Sequence, residues 1–441
     1  MLVPVADEGL GKHPVGNVSR PGRTLPADID DQRSPEDVLA TVLGFAPSLS
    51  VEYVTLHRAP GRTLAAPAVA PEDQPPFTAA TMDGFAVVAD DGSPWREILA
   101  DQMAGHVIDV QVTPGTAVRI TTGAPIPPGA DAVVPVEDTE VSEEHVIIEG
   151  EPARSGQYIR PTGADARRGD VLVPAGSLLG PAELGLVASV GLVPVPVSRL
   201  PRVTIISTGD ELVEPGTAPR PGQIRDSNRF SLLAAALAEG ADVRWVGHAP
   251  DDAAPLGSLL RDRISADDIV ITSGGVSMGE RDLVKALLPG LATVHLRRVA
   301  MKPGKPFTFA TATVPDPGGG HRTTLIFGLP GNPVSALAGF ELFIRPAIAT
   351  MLGRVDWERP RVRVTLGQAI PSGDRTDYPR AVVSVHPDGS LTAVTTGGQG
   401  SSRLASWLGA NALLVLPPRD RAYEAGERVE ALLLAVPRQV A

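Results

Sequence analysis

The sequence predicts a multidomain α/β plus β protein, built on a central three-layer α/β domain with a mostly parallel sheet. Three observations carry that expectation. Residues 202–352 alternate strand-like and helix-like apolar runs, as parallel strands joined by crossovers do. Within this stretch three apolar runs each break into a Gly-rich polar loop: Arg202–Ile206 into Ser207–Glu211, Asp268–Thr272 into Ser273–Asp282, and Thr324–Phe327 into Gly328–Pro333. Short β segments cut by Pro and Gly fill residues 59–151 and return after Arg359-Pro360, which predicts a β-rich inserted domain and a C-terminal β domain. Loops leaving three strand ends imply one crevice at the carboxyl edge of the sheet, where open α/β sheets bind ligands.

Bulk properties bound the function. A chain of 441 residues divides into roughly three or four domains. Its 46 Gly and 44 Pro are spread evenly, which argues for many tight turns and against a disordered tract. Aromatics are only 4%, so the cores must be aliphatic. A net charge of −12 disfavours a nucleic-acid or anionic-membrane surface. No apolar run reaches the ~18 residues of a membrane span, and the N-terminus lacks the basic-then-apolar pattern of a secretion signal. A cytoplasmic location is expected. The absence of cysteine removes disulfides, thiolate metal ligands and thiol nucleophiles together.

Residues 1–33 are rich in Pro, Gly and Asp without apolar periodicity and read as a flexible leader. At Ser34-Pro-Glu-Asp37 a helix should begin: Ser34 caps, Pro35 suits the first turn, and the two acids suit the positive dipole end. Residues 34–58 are grouped with 152–200 as a discontinuous linker domain around the β-rich insert 59–151. That insert should hold strands at Val110–Thr113, Ala117–Ile120 and Ala132–Val136. A helix is expected at Pro181–Val190, and Val193–Pro201 reads as a Pro-rich connector. The central domain, 201–352, should carry helices at Arg229–Glu239, Leu256–Ile264, Leu283–Leu288 and Val334–Leu352. In the last domain, 353–441, strands are expected around Val362–Leu366, Val382–Val385, Leu391–Val394 and Ala412–Leu416.

The loops indicate chemistry. Thr208, Gly209, Ser273, Gly274, Gly275 and Ser277 are the hydroxyls and glycines that suit phosphate contact, yet Asp210, Glu211, Glu280 and Asp282 crowd the same loop ends. A carboxylate about 4 Å from a phosphate is repelled by about 4 kcal/mol at intermediate dielectric. A cation between them removes the conflict, and Mg²⁺ held by Asp210, Glu211 and Asp282 fits oxygen ligands plus a phosphate. Singly, each acid also suits a helix cap or a solvated first turn. In Met301-Lys-Pro-Gly-Lys-Pro306 two prolines and a glycine hold Lys302 and Lys305 on a stiff turn, a setting for a shared anion. Gly328-Leu-Pro330-Gly-Asn332-Pro-Val-Ser335 ends a strand and starts a long apolar helix. There Asn332 can cap, Pro333 fits the first position, and free amides can take an oxyanion. Asp83 in Thr81-Met-Asp-Gly84 and Thr122 in Thr121-Thr-Gly-Ala124 are, on physics alone, turn residues. The eight histidines show no metal-ligand spacing, and no Walker-type Gly-Lys-Thr is present.

These motifs, in this order, closely resemble the molybdopterin molybdenumtransferase family, called MoeA in bacteria and the E domain in gephyrin-like proteins. The resemblance runs from about Ser34 to the C-terminus. It rests on Thr81-Met-Asp-Gly84, Thr122-Gly-Ala124, Ser207–Glu211, Ser273–Ser277 with Asp282, Met301–Pro306 and Leu329–Ser335. It implies the final step of molybdenum cofactor biosynthesis: Mg²⁺-dependent insertion of molybdate into adenylylated molybdopterin with loss of AMP. By resemblance Glu211, Asp251 and Asp282 are active-site acids, and Lys302, Lys305 and Ser335 bind oxyanion. Arg380 and Ser401 of the C-terminal domain join them on a looser match. Asp83 and Thr122 match family positions in the β-rich domain that reach the partner's site in an elongated homodimer whose active sites are shared, and Asp165 matches another functionally important acid. Transient contact with the molybdopterin adenylyltransferase is also implied. Two rival functions stay open: a catalytically idle pterin-binding scaffold, and an adenylyltransferase, since the central domain resembles those proteins too. Molybdate and tungstate are too alike for this reading to separate.

Overall fold

A computed structural model describes residues 29–149, 151–275, 283–316 and 318–440. Ser277, Glu280 and Asp282 therefore lie outside the described residues. Two compact units form, one spanning Val51–Val197 and the other containing the chain before and after it.

In the larger unit, six strands make the central sheet: β1 (Arg202–Thr208), β2 (Asp242–Ala249), β3 (Ile269–Ser273), β4 (Thr293–Arg298), β5 (Pro306–Pro315) and β6 (His321–Leu329), ordered β2-β1-β3-β6-β5-β4. The β2, β1, β3 and β6 pairings are parallel, and β5 and β4 are added antiparallel. The inner parallel strands β1 and β3 are buried at nearly every position and are rich in Val and Ile, as two-sided coverage requires. One face packs Val203, Ile205, Ile271 and Phe327 under α1 (Asn228–Ala238) and α4 (Pro333–Met351). The other packs Ile206, Val270 and Ile326 under α2 (Ala253–Ala266) and α3 (Leu283–Leu287). The predicted three layers are present.

The N-terminal helix Pro35–Phe45 forms as its sequence signature requires, with Ser34 Oγ accepting from the Asp37 amide at 3.1 Å. Its Val38 and Val42 are fully buried in the core of α4 and its sheet face, so this helix packs with the central domain. The predicted helix Val334–Leu352 is interrupted by a π-helical segment, Phe340–Ile344. Pro346 has no amide to donate back to residue 342, and a local change of helical pitch absorbs that loss. α4 is long and apolar enough to span a membrane, but 78% of it is buried inside the unit; it is a core helix.

After residue 360 the strands Leu391–Thr395, Arg361–Leu366, Arg428–Leu433, Ala412–Val415 and Arg380–Val385 pair in that order, and the last closes back on the first. Closure removes the exposed edges of a small sheet and encloses a core of Val364, Leu366, Val383 and Leu414.

The smaller unit holds a six-stranded sheet with Gly84–Val87, Thr116–Ile120 and Ala132–Pro135 adjacent. Val110–Thr113, predicted as a strand, is not one. Val112 is buried and donates a single backbone bond to Pro128 O at 2.8 Å, but Pro114 ends the segment before a ladder can form. The predicted connector Val193–Pro201 contains a strand, Val195–Ser198, paired with Val51–Val54 and buried at every position. Pro196 is tolerated there because its carbonyl still accepts, from the Ala65 amide at 3.0 Å.

Candidate functional site

The parallel register sets the site. Ser207 pairs with Ser273, and Ser273 with Leu329, so the three Gly-rich loops leave the same edge of the sheet at the same height. Because β5 runs antiparallel to β6 with Thr308 opposite Gly328, the start of β5 and the preceding lysine turn reach that edge too. β1 and β5 are three strand intervals apart. The loop with the acids and the turn with the lysines therefore leave strand ends about 14 Å apart on one edge.

The loops touch closely. Gly274 donates to Leu329 O at 3.1 Å and has φ +93°. A Cβ there would press on the Thr208 backbone carbonyl, and one on Gly275 would lie 3.0 Å from Thr208 Oγ1. Glycine is thus required for the second loop to pass over the first. The Thr208 hydroxyl beneath is 3% exposed and has no hydrogen-bond partner among the described residues. A buried hydroxyl without a partner is costly, which marks this spot as built for a polar group.

At the acid end, Glu211 folds its carboxylate over Gly209, and Asp210 Oδ1 accepts from the Asp251 amide at 3.3 Å. Asp251 follows β2, the strand beside β1, so the loop after β2 brings it against Asp210. All three acids are exposed, and none is paired with a cation among the described residues. His248 Nε2 lies 3.0 Å from Gly209 O and braces the loop.

The lysine end is not symmetric. Lys302 donates to Asp377 Oδ2 at 3.0 Å, and Tyr378 N donates to Lys302 O at 2.7 Å, tying the turn to the C-terminal barrel. Lys305 has no ion-pair partner among the described residues. Gly304, with φ +109°, lets the turn lie against Ser335 at the start of α4. Asn332 stands at the N-cap position, but its side chain makes no cap bond. Instead the Val334 amide donates to Ser401 O at 3.0 Å, so a barrel loop takes one of the free helix amides. Arg380 is 1% exposed, and among the described residues its guanidinium donates only to Ser406 Oγ, at 3.2 and 3.1 Å. Burial pushes its pKa down, with the Asp377 charge opposing. Its amide donates to Gln399 Oε1 at 2.9 Å, which holds the loop leading to Ser401. Pro330 and Ser335 are buried within the same edge.

In the smaller unit, Asp83 and Thr122 meet. Asp83 Oδ1 accepts from the Thr122 amide at 2.6 Å and its hydroxyl at 2.8 Å, and these two bonds hold the Asp83 pKa below the usual carboxylate value. Asp165 pairs with Arg160, whose strand Ile159–Arg160 lies beside Ala79–Ala80. All three are exposed, on turns.

Comparison with known proteins decides the family. Residues 33–191 match the MoeA N-terminal region (domain I and II), 204–350 a probable molybdopterin binding domain, and 363–434 the MoeA C-terminal region (domain IV). A molybdopterin molybdenumtransferase of Haemophilus influenzae is 35% identical over 86% of this chain and 92% of its own. Molybdopterin molybdenumtransferase 2 of Mycobacterium tuberculosis is 39% identical over 86% and 93%. The chain belongs to the molybdopterin molybdenumtransferase family. A gephyrin of Dictyostelium discoideum is 36% identical over 87% of this chain, which spans 59% of that protein's length. Among solved structures, the moeA protein of Pyrococcus horikoshii OT3 matches with a TM-score of 0.76 at 28% identity, covering 91% of this chain and all of the other.

Set beside this family assignment, the sequence reading missed Asp226 and Asn228. Both are buried polar residues at the start of α1 that touch all three loops. Their signal was present as an Asp-Ser-Asn run before an apolar helix, but it reads equally as ordinary helix-start chemistry. Mg²⁺ fits the donor chemistry at the acid end, where two adjacent carboxylates lack a cation. Among the described residues no three acidic or histidine side chains gather closely enough to hold a metal by themselves. That leaves the remaining positions to phosphate and water, as Mg²⁺ prefers.

Proposed function

We propose that this enzyme inserts molybdate into adenylylated molybdopterin, in a Mg²⁺-dependent reaction that releases AMP. The observation that carries it is the shared edge. Three Gly-rich loops leave one edge, the first carrying carboxylates with no cation among the described residues, and the lysine turn leaves a strand end about 14 Å from the first. That separation suits an extended substrate with a phosphoanhydride at one end and an incoming oxyanion at the other.

Each part then has a role. Thr208, Gly209, Ser273, Gly274 and Gly275 present hydroxyls and close-approach backbone to the pterin phosphate. Asp210 and Glu211, with Asp251 beside them, would hold Mg²⁺, which when bound polarises the phosphoanhydride and makes AMP a better leaving group. Lys302, Lys305 and Ser335 would receive the molybdate dianion. Arg380 is poised behind them: a buried cation whose guanidinium bonds, among the described residues, go to a neutral hydroxyl gains from a nearby anion. The pterin brings its own sulfur ligands, so a chain without cysteine can serve. Asp83, Thr122 and Asp165 would complete the site of a second copy in a homodimer, and the enzyme would work in the cytoplasm. Contact with the molybdopterin adenylyltransferase would pass the substrate on directly.

The test is incubation with adenylylated molybdopterin, molybdate and Mg²⁺. Molybdate-dependent AMP release is expected. Pterin binding without AMP release would leave the scaffold function, and ATP consumption with metal-free molybdopterin would indicate an adenylyltransferase.

A further inference from the structure

We propose that Asp226 and Asn228 form a clasp that fixes the three strand-end loops relative to one another, and that Asn228 is thereby a positioning residue for the pterin substrate. The inference rests on the pterin-binding function proposed above and adds to it.

Asn228 is the first residue of α1 and is 8% exposed. Its Nδ2 donates to Ser273 Oγ at 2.7 Å and to Gly331 O at 2.8 Å. The orientation of the amide is settled by Gly331 O, which can only accept. One side chain therefore uses both its hydrogens to join the second loop to the third. Two residues earlier, Asp226 accepts from the hydroxyl of Ser207, at the root of the first loop. Asp226 is 3% exposed, and its own amide donates to Val213 O at 3.0 Å. The Arg229 guanidinium lies 3.2 Å away and balances its charge, while the Arg229 amide donates to Asp226 Oδ1 at 3.3 Å. A single turn of chain thus holds all three loops, the first two through buried polar contacts and the third through a part-buried one.

The chemistry at these positions is specific. Only a primary amide offers two hydrogens from one nitrogen at this length; aspartate offers none, and serine one. The Gly274–Gly275 backbone, which crosses the Thr208 hydroxyl of the first loop, lies directly after the strand end that the Asn228 amide ties to the third loop. Removing the amide leaves Ser273 with a 3.5 Å contact to Pro330 O and leaves Gly331 O without this donor.

The experiment compares the full chain with Asn228→Ala, Asn228→Asp, Asn228→Ser and Ser273→Ala. It measures binding of metal-free molybdopterin, thermal stability, and hydrogen exchange of peptides covering residues 208–211, 273–275 and 329–332. Losing two buried hydrogen bonds should weaken binding by about 10-fold or more in Asn228→Ala and Asn228→Asp. Asn228→Ser, with one donor, should recover part of that loss. The loss in the double variant Asn228→Ala/Ser273→Ala should fall short of the sum of the two single losses, because the two residues share one hydrogen bond. Exchange should quicken in all three loops and stay unchanged in the C-terminal barrel. Wild-type affinity and unchanged loop exchange in Asn228→Ala would overturn the clasp. So would a lowered melting temperature with unaltered affinity, since that is a purely structural role. If the unmodified chain fails to bind the pterin, the proposed function falls, and the exchange of the three loops still decides the clasp on its own.

Discussion

Gly274→Ala perturbs the candidate site with the smallest possible change. Its cost has two parts. An alanine at φ +93° pays roughly 1–2 kcal/mol of backbone strain. The new methyl also presses on the Thr208 carbonyl, a backbone atom that cannot rotate away. The first loop must therefore retreat by roughly 1 Å to restore ordinary van der Waals contact. Displacements approaching 1 Å in a positioned site cost up to about 100-fold in rate. A fall of about 10- to 100-fold in kcat/KM for AMP release is expected, beyond any loss of stability. Gly353→Ala is the control: its φ is +72°, but nothing lies within 4 Å of the new methyl. That variant should lose stability and keep its activity. Equal activity in Gly274→Ala and the parent chain, within about twofold, would refute the claim that close loop crossing shapes the site.

Other outcomes follow from particular residues. Asp268 lies at the amino end of β3, 2% exposed, and receives Arg199 and Arg202. Burial pushes its pKa up, but these bonds outweigh burial and bring it down to about 2 from 3.8. Such a depressed carboxylate stabilises the fold above about pH 4 and loses that contribution as pH falls towards 2. Asp268→Asn should therefore cost about 2 kcal/mol at pH 7 in denaturant melts, with the difference vanishing near pH 2. A pH-independent difference would contradict this. Thr122→Val removes the hydroxyl donor to Asp83 but keeps the backbone donor, so the Asp83 pKa should rise part of the way to its ordinary value in an NMR titration. An unmoved titration would mean that the hydroxyl bond is not made in solution. Inactive Asp83→Ala and Asp282→Ala chains, mixed and allowed to exchange subunits, should regain some AMP release. No recovery would count against active sites shared between two copies.

Much of the fold could be read from the chain because its signals are local and repeated. Ser34-Pro-Glu-Asp37 carries a complete helix start, and the helix begins there. The Val/Ile runs of β1 and β3 can be buried on both faces only in a covered parallel sheet. What was lost depended on partners distant in sequence. Val195–Ser198 looks like a linker until Val51–Val54 arrives beside it, and Val110–Thr113 has strand composition but no neighbour to pair with. In the site, the loops themselves announced their chemistry through Gly, hydroxyl and acid content. The asymmetry of the lysines did not: Asp377, which engages Lys302, is 75 residues away. Asn332 was a reasonable cap by residue type, yet the barrel loop at Ser401 reaches the helix amide at Val334 instead. Asn228 went unseen for the same reason, since its partners come from two other strand ends.

Hydrogen exchange with and without metal-free molybdopterin, followed across the whole chain, tests most directly whether the three strand ends form one binding edge. Peptides covering residues 207–211, 273–275 and 328–335 should gain protection together and at the same ligand concentration. Protection confined to one of them, or appearing instead in the groove lined by Pro289, Leu291, Thr311 and Thr313, would contradict it.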